Sequence, residues 1–190
     1  MFGRIEPAQA ERLRPIIAGR TVWTLGSGPD LHEAWQLIAM GATTVHAVDK
    51  ASRHITPTFT PVDPPGIVDC RAYFHEFEAH HTGTTPPDVA VVKWPQTNRQ
   101  DGLTRLIARA HTVVYIGRND GATACGPPDM WRHLRTRTLV DVVEGHRNDM
   151  LVYGPTHPTG TTHPPRCREE RHAYTDPVPE STPKNPDPDQ

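Results

Sequence analysis

Short runs of apolar residues alternate along most of the chain with segments in which apolar residues recur every three or four positions. The runs are rich in β-branched residues and predict strands at residues 21–26, 43–50, 67–70, 88–95, 111–117, 138–145 and 149–154. The segments with helical spacing predict helices at residues 7–18, 30–41, 71–81, 102–110 and 128–137. Residues 55–66 contain several prolines and predict a loop.

This order of elements also predicts the arrangement of the strands. Strands that alternate with helices form βαβ units, in which the strands lie parallel. The short connection His146-Arg147-Asn148 cannot make a parallel crossover, so the last two strands must run in opposite directions. The sequence therefore predicts an α/β, Rossmann-like three-layer sandwich with a mostly parallel seven-stranded sheet and a reversed last strand.

The composition changes sharply near residue 155. From residue 156 to residue 190 the only hydrophobic residues are Cys167, Ala173, Tyr174 and Val178, and prolines recur throughout. Such a segment buries too little apolar surface to offset the entropy lost on ordering. We therefore expect one Rossmann-like domain at residues 1–155 and a proline-rich, disordered tail at residues 156–190.

Charge and cysteine content restrict the classes of partner and compartment. The formal net charge is -2, so no overall basic excess attracts nucleic acid or anionic membranes. No apolar leader follows Met1, and no segment reaches a membrane-spanning length. The three cysteines form no CxxC pair, and the histidines follow no zinc-site spacing. The sequence predicts a cytoplasmic protein without membrane contact and without a metal site.

A glycine-rich turn, Gly26-Ser27-Gly28, stands between the first predicted strand of the sheet and the helix at 30–41. Such a turn exposes backbone N–H groups at the carboxyl edge of a sheet, where α/β proteins bind ligands. Asp49 ends the next strand, and a carboxylate there can accept hydrogen bonds from both hydroxyls of a ribose. We expect a nucleoside ligand, although the glycines could also serve only a tight turn, with Asp49 capping a loop.

The residues that follow the glycines narrow the choice of ligand. A dinucleotide fingerprint requires a small residue at position 31, where this chain has Leu31. Asp30 would repel a pyrophosphate, although it is suited to cap the following helix together with Glu33. A nucleoside with a positively charged or zwitterionic tail fits better, and S-adenosylmethionine has that character.

The glycine turn, Asp49 and the reversed last strand resemble class I S-adenosylmethionine-dependent methyltransferases over roughly residues 8–154. The stretches VVKWPQTN, VVYIGRNDGATACG and HRNDMLVYG are similar to small methyltransferase-like proteins of actinobacterial phages and plasmids. The resemblance implies that Gly26 and Gly28, with Ser27 in the same turn, line the methionine part of the cofactor. It also implies that Asp49 holds the ribose. The family often has an acidic residue two positions before the first glycine, where this chain has Thr24.

Further candidates end the later strands. Trp94 could stack on adenine or on a planar substrate, or it could be a core residue, and Lys93 beside it is interpreted as a surface lysine. Amino-methylating relatives carry an acidic or amide residue at the position of Lys93, where it holds the target nitrogen. Trp94 and Asp120 are the candidates for a catalytic role, and Asp120, His146 and Asp149 are possible proton acceptors.

Three functions remain open on the sequence alone. The leading hypothesis is an S-adenosylmethionine-binding methyltransferase that acts on an unidentified nucleic acid, protein or small molecule, with a protein partner supplying specificity. The alternative is a non-catalytic Rossmann-like accessory module of a phage or plasmid, which binds a nucleotide or a host protein. A nicotinamide-dependent oxidoreductase is the third, which Asp30 and Leu31 disfavour.

Overall fold

A computed structural model of the protein describes residues 4–49, 56–63, 65–96, 102–118, 126–146 and 148–156. The helices are α1 (Pro7–Ile17), α2 (His32–Ala39), α3 (Phe74–His80), α4 (Leu103–Arg109) and α5 (Pro128–Leu134). The strands are β1 (Thr21–Leu25), β2 (Thr44–Asp49), β3 (Thr58–Val62), β4 (Ile67–Arg71), β5 (Val89–Lys93), β6 (Thr112–Gly117), β7 (Arg137–Val143) and β8 (Asp149–Thr156). The predicted tail lies outside the described residues from position 157 onward, so the domain boundary stays a prediction.

The eight strands form one mixed sheet in the order β3-β4-β2-β1-β5-β6-β8-β7. Neighbouring strands from β4 to β6 pair in parallel, whereas β8 is antiparallel to both β6 and β7. These observations confirm the α/β Rossmann-like fold and the reversed last strand. Because β1 continues to β2 on one side and the chain later returns to β5 on the other, strand order reverses at the carboxyl ends of β1 and β5. Ligands bind at such a switch point in open α/β sheets.

The sheet has eight strands instead of the predicted seven, because part of the predicted loop at 55–66 is a strand. Residues 58–62 form β3, which pairs antiparallel with β4 at the edge of the sheet. Pro61 lies within β3, and proline is tolerated at a sheet edge because its missing N–H faces away from the neighbouring strand.

Helices cover both faces of the sheet and complete three layers. Buried side chains of α1 and α2 pack on one face, around Leu13, Ile17 and Leu37. Side chains of α3, α4 and α5 pack on the other face, around Phe77 and Leu106. The site therefore stands on a sheet whose central strands are shielded from water on both sides.

The start of α2 differs from the prediction. Asp30 is not the N-cap residue, because Leu31 occupies that position in a left-handed conformation and the helix begins at His32. The carboxylate of Asp30 nevertheless accepts a hydrogen bond from the backbone N–H of His32 at 3.3 Å. The chain thus makes a tight left-handed step between the glycine turn and α2.

A buried arginine joins α4 to the reversed end of the sheet. Arg137 is 7% exposed and opens β7. Its guanidinium donates hydrogen bonds to the backbone carbonyls of Ile107 at 3.0 Å, Ala110 at 2.8 Å and Gly154 at 3.2 Å. The last carbonyls of a helix lack their usual i+4 donors, and this one side chain donates to two carbonyls at the end of α4 and to one in β8.

Candidate functional site

The glycine turn after β1 lies at the carboxyl edge of the sheet, between the ends of β2 and β5. Gly26 and Gly28 have φ angles of +90° and +80°, a left-handed conformation that glycine adopts without steric cost. The N–H of Gly26 donates a hydrogen bond to the carbonyl of Val48 at 2.8 Å. On the other side, a Cβ atom at Gly26 would lie 2.9 Å from the carbonyl oxygen of Lys93. Position 26 requires glycine because β5 approaches the turn so closely.

Two charged side chains hold the second half of the turn. Asp49 ends β2, and its half-buried carboxylate accepts a hydrogen bond from the backbone N–H of Gly28. Arg71 ends β4 and donates a hydrogen bond to the carbonyl of Pro29 at 2.9 Å. A carboxylate has about four lone-pair positions. Asp49 can therefore hold the turn and still accept hydrogen bonds from a ligand.

A buried ion pair lies next to the turn. Lys93 is 7% exposed at the end of β5, Glu33 is 1% exposed in the first turn of α2, and their charged groups are in direct contact. The hydroxyl of Thr24, fully buried in β1, donates a hydrogen bond to the same carboxylate. The interpretations of Lys93 as a surface lysine and of Glu33 as part of a helix cap are both wrong. The two side chains instead neutralise each other in the core.

Trp94 lies at the same edge in an unusual backbone conformation. Its φ angle is +45°, and its N–H donates a hydrogen bond to the carbonyl of Ile116 at 3.0 Å. Leu31, with φ +54°, is the other non-glycine residue with positive φ in the described ranges. Such conformations are costly for residues with a side chain and cluster at functional sites. Leu31 lies just after the glycine turn, and Trp94 directly follows β5.

The structure also shows where the remaining sequence candidates lie. Ser27 is buried, and its hydroxyl donates a hydrogen bond to the carbonyl of Gly28 at 3.3 Å. Asp149 opens β8 at the same edge of the sheet, and His146 is exposed in the turn before it. Asp120 lies outside the described residues. The candidates for cofactor binding, Gly26, Ser27, Gly28, Asp49 and Trp94, therefore all lie at one edge of the sheet, where Asp149 also lies.

A second group of titratable residues packs between α3 and the sheet. The rings of His46 and His81 have centroids 5.1 Å apart, and Phe77 lies against both. Burial, reinforced by the charges of His81 and then His80, lowers the pKa of His46 to about 4. Burial also lowers the pKa of His81. Both rings are therefore neutral near pH 7.

The described residues contain neither a metal centre nor a membrane span. No three histidine, cysteine or acidic side chains in these ranges converge so as to hold a metal ion. The helices in the same ranges are all too short or too polar to cross a membrane. Burial, with a smaller contribution from Asp69, raises the pKa of the Cys70 thiol to about 12, so that this cysteine is an unreactive thiol near neutral pH.

The chemistry of the edge suits a nucleoside. Asp49 offers a negatively charged acceptor of the kind that binds sugar hydroxyls, and the turn offers a close backbone surface. The indole of Trp94 is half-buried at the far side of the turn and can stack on a planar group. The ion pair that Glu33 forms with Lys93 was not predicted from the sequence. One signal pointed to it, because Glu33 precedes the buried Leu37 by four residues and therefore lies on the apolar face of α2.

Comparison with known proteins gives a structural match only. No protein-family model matches the chain, and no curated protein sequence matches it significantly. A fibrillarin pre-rRNA processing protein from Methanococcus jannaschii aligns with a TM-score of 0.53 and 12% identity, over 80% of this chain and 75% of its own. A candidate RNA methyltransferase from Pyrococcus horikoshii aligns with a TM-score of 0.52 and 12% identity, over 78% and 82%.

A candidate methyltransferase from Escherichia coli gives the same result, with a TM-score of 0.52 and 9% identity over 82% of this chain and 87% of its own. At these identities the match shows a shared fold. The chain therefore has a Rossmann-like fold that is also found in structures described as methyltransferases.

Proposed function

We propose that this protein binds S-adenosylmethionine at the carboxyl edge of β1, β2 and β5 and transfers its methyl group to an acceptor. The observation that carries the proposal is the position of Asp49. Its carboxylate lies beside the N–H of Gly28 at the switch point of the sheet. There it can accept hydrogen bonds from a ribose whose nucleoside rests against the glycine turn.

The charges around the turn favour this ligand over a dinucleotide. Asp30 stands next to the turn and repels a pyrophosphate. Lys93 offers no charge for binding a phosphate, because its ammonium is buried against Glu33. Arg71 points its guanidinium at Asp69 and at the carbonyl of Pro29. The amino-acid tail of S-adenosylmethionine is a zwitterion without net charge, so Asp30 repels it less than it repels a pyrophosphate.

The contribution of the protein to the reaction is placement. When bound, S-adenosylmethionine supplies a methyl group activated by its sulfonium centre. Gly26, Ser27 and Gly28 would hold the amino-acid part, Asp49 the ribose, and Trp94 the adenine or a planar acceptor. Alignment of the acceptor with the methyl group lowers the barrier to such a displacement. Asp149 and His146 lie at the same edge and are candidates to take the acceptor proton, as is Asp120.

The acceptor is a further part of the proposal. Two of the matched structures are described by an RNA function, so RNA is the first acceptor to test. The net charge of -2 provides no general attraction for RNA. We therefore propose that a partner protein supplies specificity for the acceptor.

A non-catalytic ligand-binding module is the second candidate, and the orientation of Lys93 favours it. In amino-methylating relatives an acidic or amide side chain at this position holds the target nitrogen. Here the side chain is a lysine turned into the core. Next to this lysine, the half-buried Trp94 is the side chain at the end of β5 that can face an acceptor.

Calorimetric titration of the full chain tests these proposals. We expect binding of S-adenosylmethionine and S-adenosylhomocysteine and no binding of NAD. Failure of both sulfur ligands to bind would overturn the proposed ligand. Binding without transfer of a labelled methyl group to RNA, protein or small-molecule extracts would instead favour the non-catalytic module.

A further inference from the structure

The buried ion pair connects the two strained residues of the site. Glu33 follows Leu31 by two positions, and Trp94 follows Lys93 directly. The contact between Glu33 and Lys93 therefore joins the left-handed step before α2 to the left-handed residue after β5. One contact spans 60 residues of sequence and links the two elements on either side of the ligand edge.

A buried ion pair can hold two backbone segments in a fixed relative position because its contact is directional. A charge in the core has a large cost unless its partner stays in place, so the pair tolerates little displacement of either backbone. The hydroxyl of Thr24 fixes the carboxylate of Glu33 from β1 as well. An apolar contact of the same volume would fill the space without fixing the direction of approach.

We propose that Lys93 is a positioning residue, which acts through Glu33 to keep Leu31 and Trp94 in their left-handed conformations. The pair thereby sets the placement of the Trp94 ring relative to the glycine turn. The part of this inference that concerns ligand affinity rests on the proposed function. The part that concerns the backbone of Trp94 stands without it.

The effect of the ion pair on the backbone of Trp94 is measured by comparing two substitutions of Trp94, first with the ion pair present and then without it. Trp94→Gly and Trp94→Ala both remove the indole, but only alanine keeps a Cβ atom that disfavours φ +45°. In the otherwise unchanged protein we expect the glycine variant to unfold about 2–4 °C above the alanine variant. The same comparison is then made in the apolar triple variant Thr24→Val/Glu33→Met/Lys93→Met, which leaves no buried charge or hydroxyl without a partner.

If the ion pair imposes the conformation of Trp94, the difference between glycine and alanine disappears in the apolar triple variant. An undiminished difference would overturn the inference. The apolar triple variant is expected to fold, because apolar residues of similar volume often replace a buried ion pair without loss of stability. Glu78→Met/Arg105→Met, which removes an exposed ion pair between α3 and α4, is the matched control and should leave the difference unchanged.

Ligand affinity provides the readout that a purely structural pair would not change. With Trp94 in place, we expect the apolar triple variant to bind S-adenosylhomocysteine at least tenfold more weakly than the unchanged protein while its unfolding temperature is retained. Unchanged affinity would contradict the positioning role. If the unchanged protein itself binds no sulfur ligand, the proposed function fails, and the comparison of glycine with alanine still decides the role of Lys93.

Discussion

The carboxylate of Asp49 accepts a hydrogen bond from the backbone N–H of Gly28, 21 residues earlier in the chain. The contact joins the end of β2 to the glycine turn that follows the neighbouring strand β1. It fixes the carboxylate at the edge of the sheet before any ligand binds. An acceptor that is already oriented loses less conformational entropy on binding than a mobile one.

Replacement of Asp49 should therefore weaken ligand binding more than it weakens the fold. Two hydrogen bonds from ribose hydroxyls to a charged acceptor are lost in Asp49→Ala. On the proposed binding mode we expect the affinity for S-adenosylhomocysteine to fall at least about 100-fold, since each hydrogen bond to a charged group contributes about 1.5–3 kcal/mol and about 1.4 kcal/mol corresponds to a factor of ten. Calorimetry measures the change. Asp63→Ala removes an exposed carboxylate from the turn between β3 and β4, and it should bind as the unchanged protein does.

Gly26→Ala should destabilise the protein through two separate effects. Gly26 has φ +90°, and a Cβ atom there would lie 2.9 Å from the carbonyl oxygen of Lys93. We expect a loss of about 2–4 kcal/mol in the free energy of unfolding, from backbone strain and steric overlap together. Gly19 has φ +73°, and a Cβ atom there would have no neighbouring atom within 4 Å. Gly19→Ala should lose only about 1–2 kcal/mol, and equal losses in urea titration would show that β5 does not restrict the turn.

Acid should destabilise the fold through His46. The pKa of this histidine is lowered to about 4 in the folded protein, so between its unfolded value and pH 4 the unfolded chain binds the extra proton. The stabilisation is present above about pH 6.5 and is lost as the pH falls, by about 3 kcal/mol at pH 4. Urea titrations at pH 7 and pH 4 measure it. In His46→Leu most of this loss should vanish, whereas His111→Gln, at an exposed position, should retain it.

Arg137 should be among the most sensitive positions outside the site. Arg137→Met leaves the carbonyls of Ile107, Ala110 and Gly154 without their buried donor. We expect a loss of at least about 3 kcal/mol in the free energy of unfolding, because a buried polar group without a partner costs about 1–3 kcal/mol. The exposed Arg12 binds Asp141 at 3.0 Å, and Arg12→Met should leave the urea midpoint nearly unchanged. Similar midpoints for the two variants would refute the structural role of Arg137.

Much of the fold could be predicted because the central strands are apolar on both faces. Val89 to Val92 are all buried, and such a run has few alternatives to the middle of a parallel sheet. The edge strand β3 could not be predicted in the same way. Its residues are exposed or half-buried and include Pro61, so neither alternation nor composition distinguishes it from a loop. Only its pairing with β4 defines it.

In the candidate site, too, some features could be predicted from the sequence and others could not. The location of Gly26, Gly28 and Asp49 at one edge of the sheet could be predicted, because it depends on local backbone conformation and on the ends of strands. The partnership of Glu33 with Lys93 could not, because it joins residues that are distant in sequence and each is charged. A charge at the end of an apolar strand is usually exposed. Here the fold supplies the opposite charge, and only the three-dimensional arrangement reveals it.

The place of β8 in the sheet has a consequence for how the protein is made. β7 is synthesised first, but its sheet partner among the described strands is β8, which also pairs with β6. Until residues 149–156 leave the ribosome, the apolar strand β6 therefore presents an open edge to other nascent chains. Open edges promote aggregation. A chain stalled before residue 149 is accordingly expected to need a chaperone, whereas a chain that includes β8 covers the edge of β6 itself.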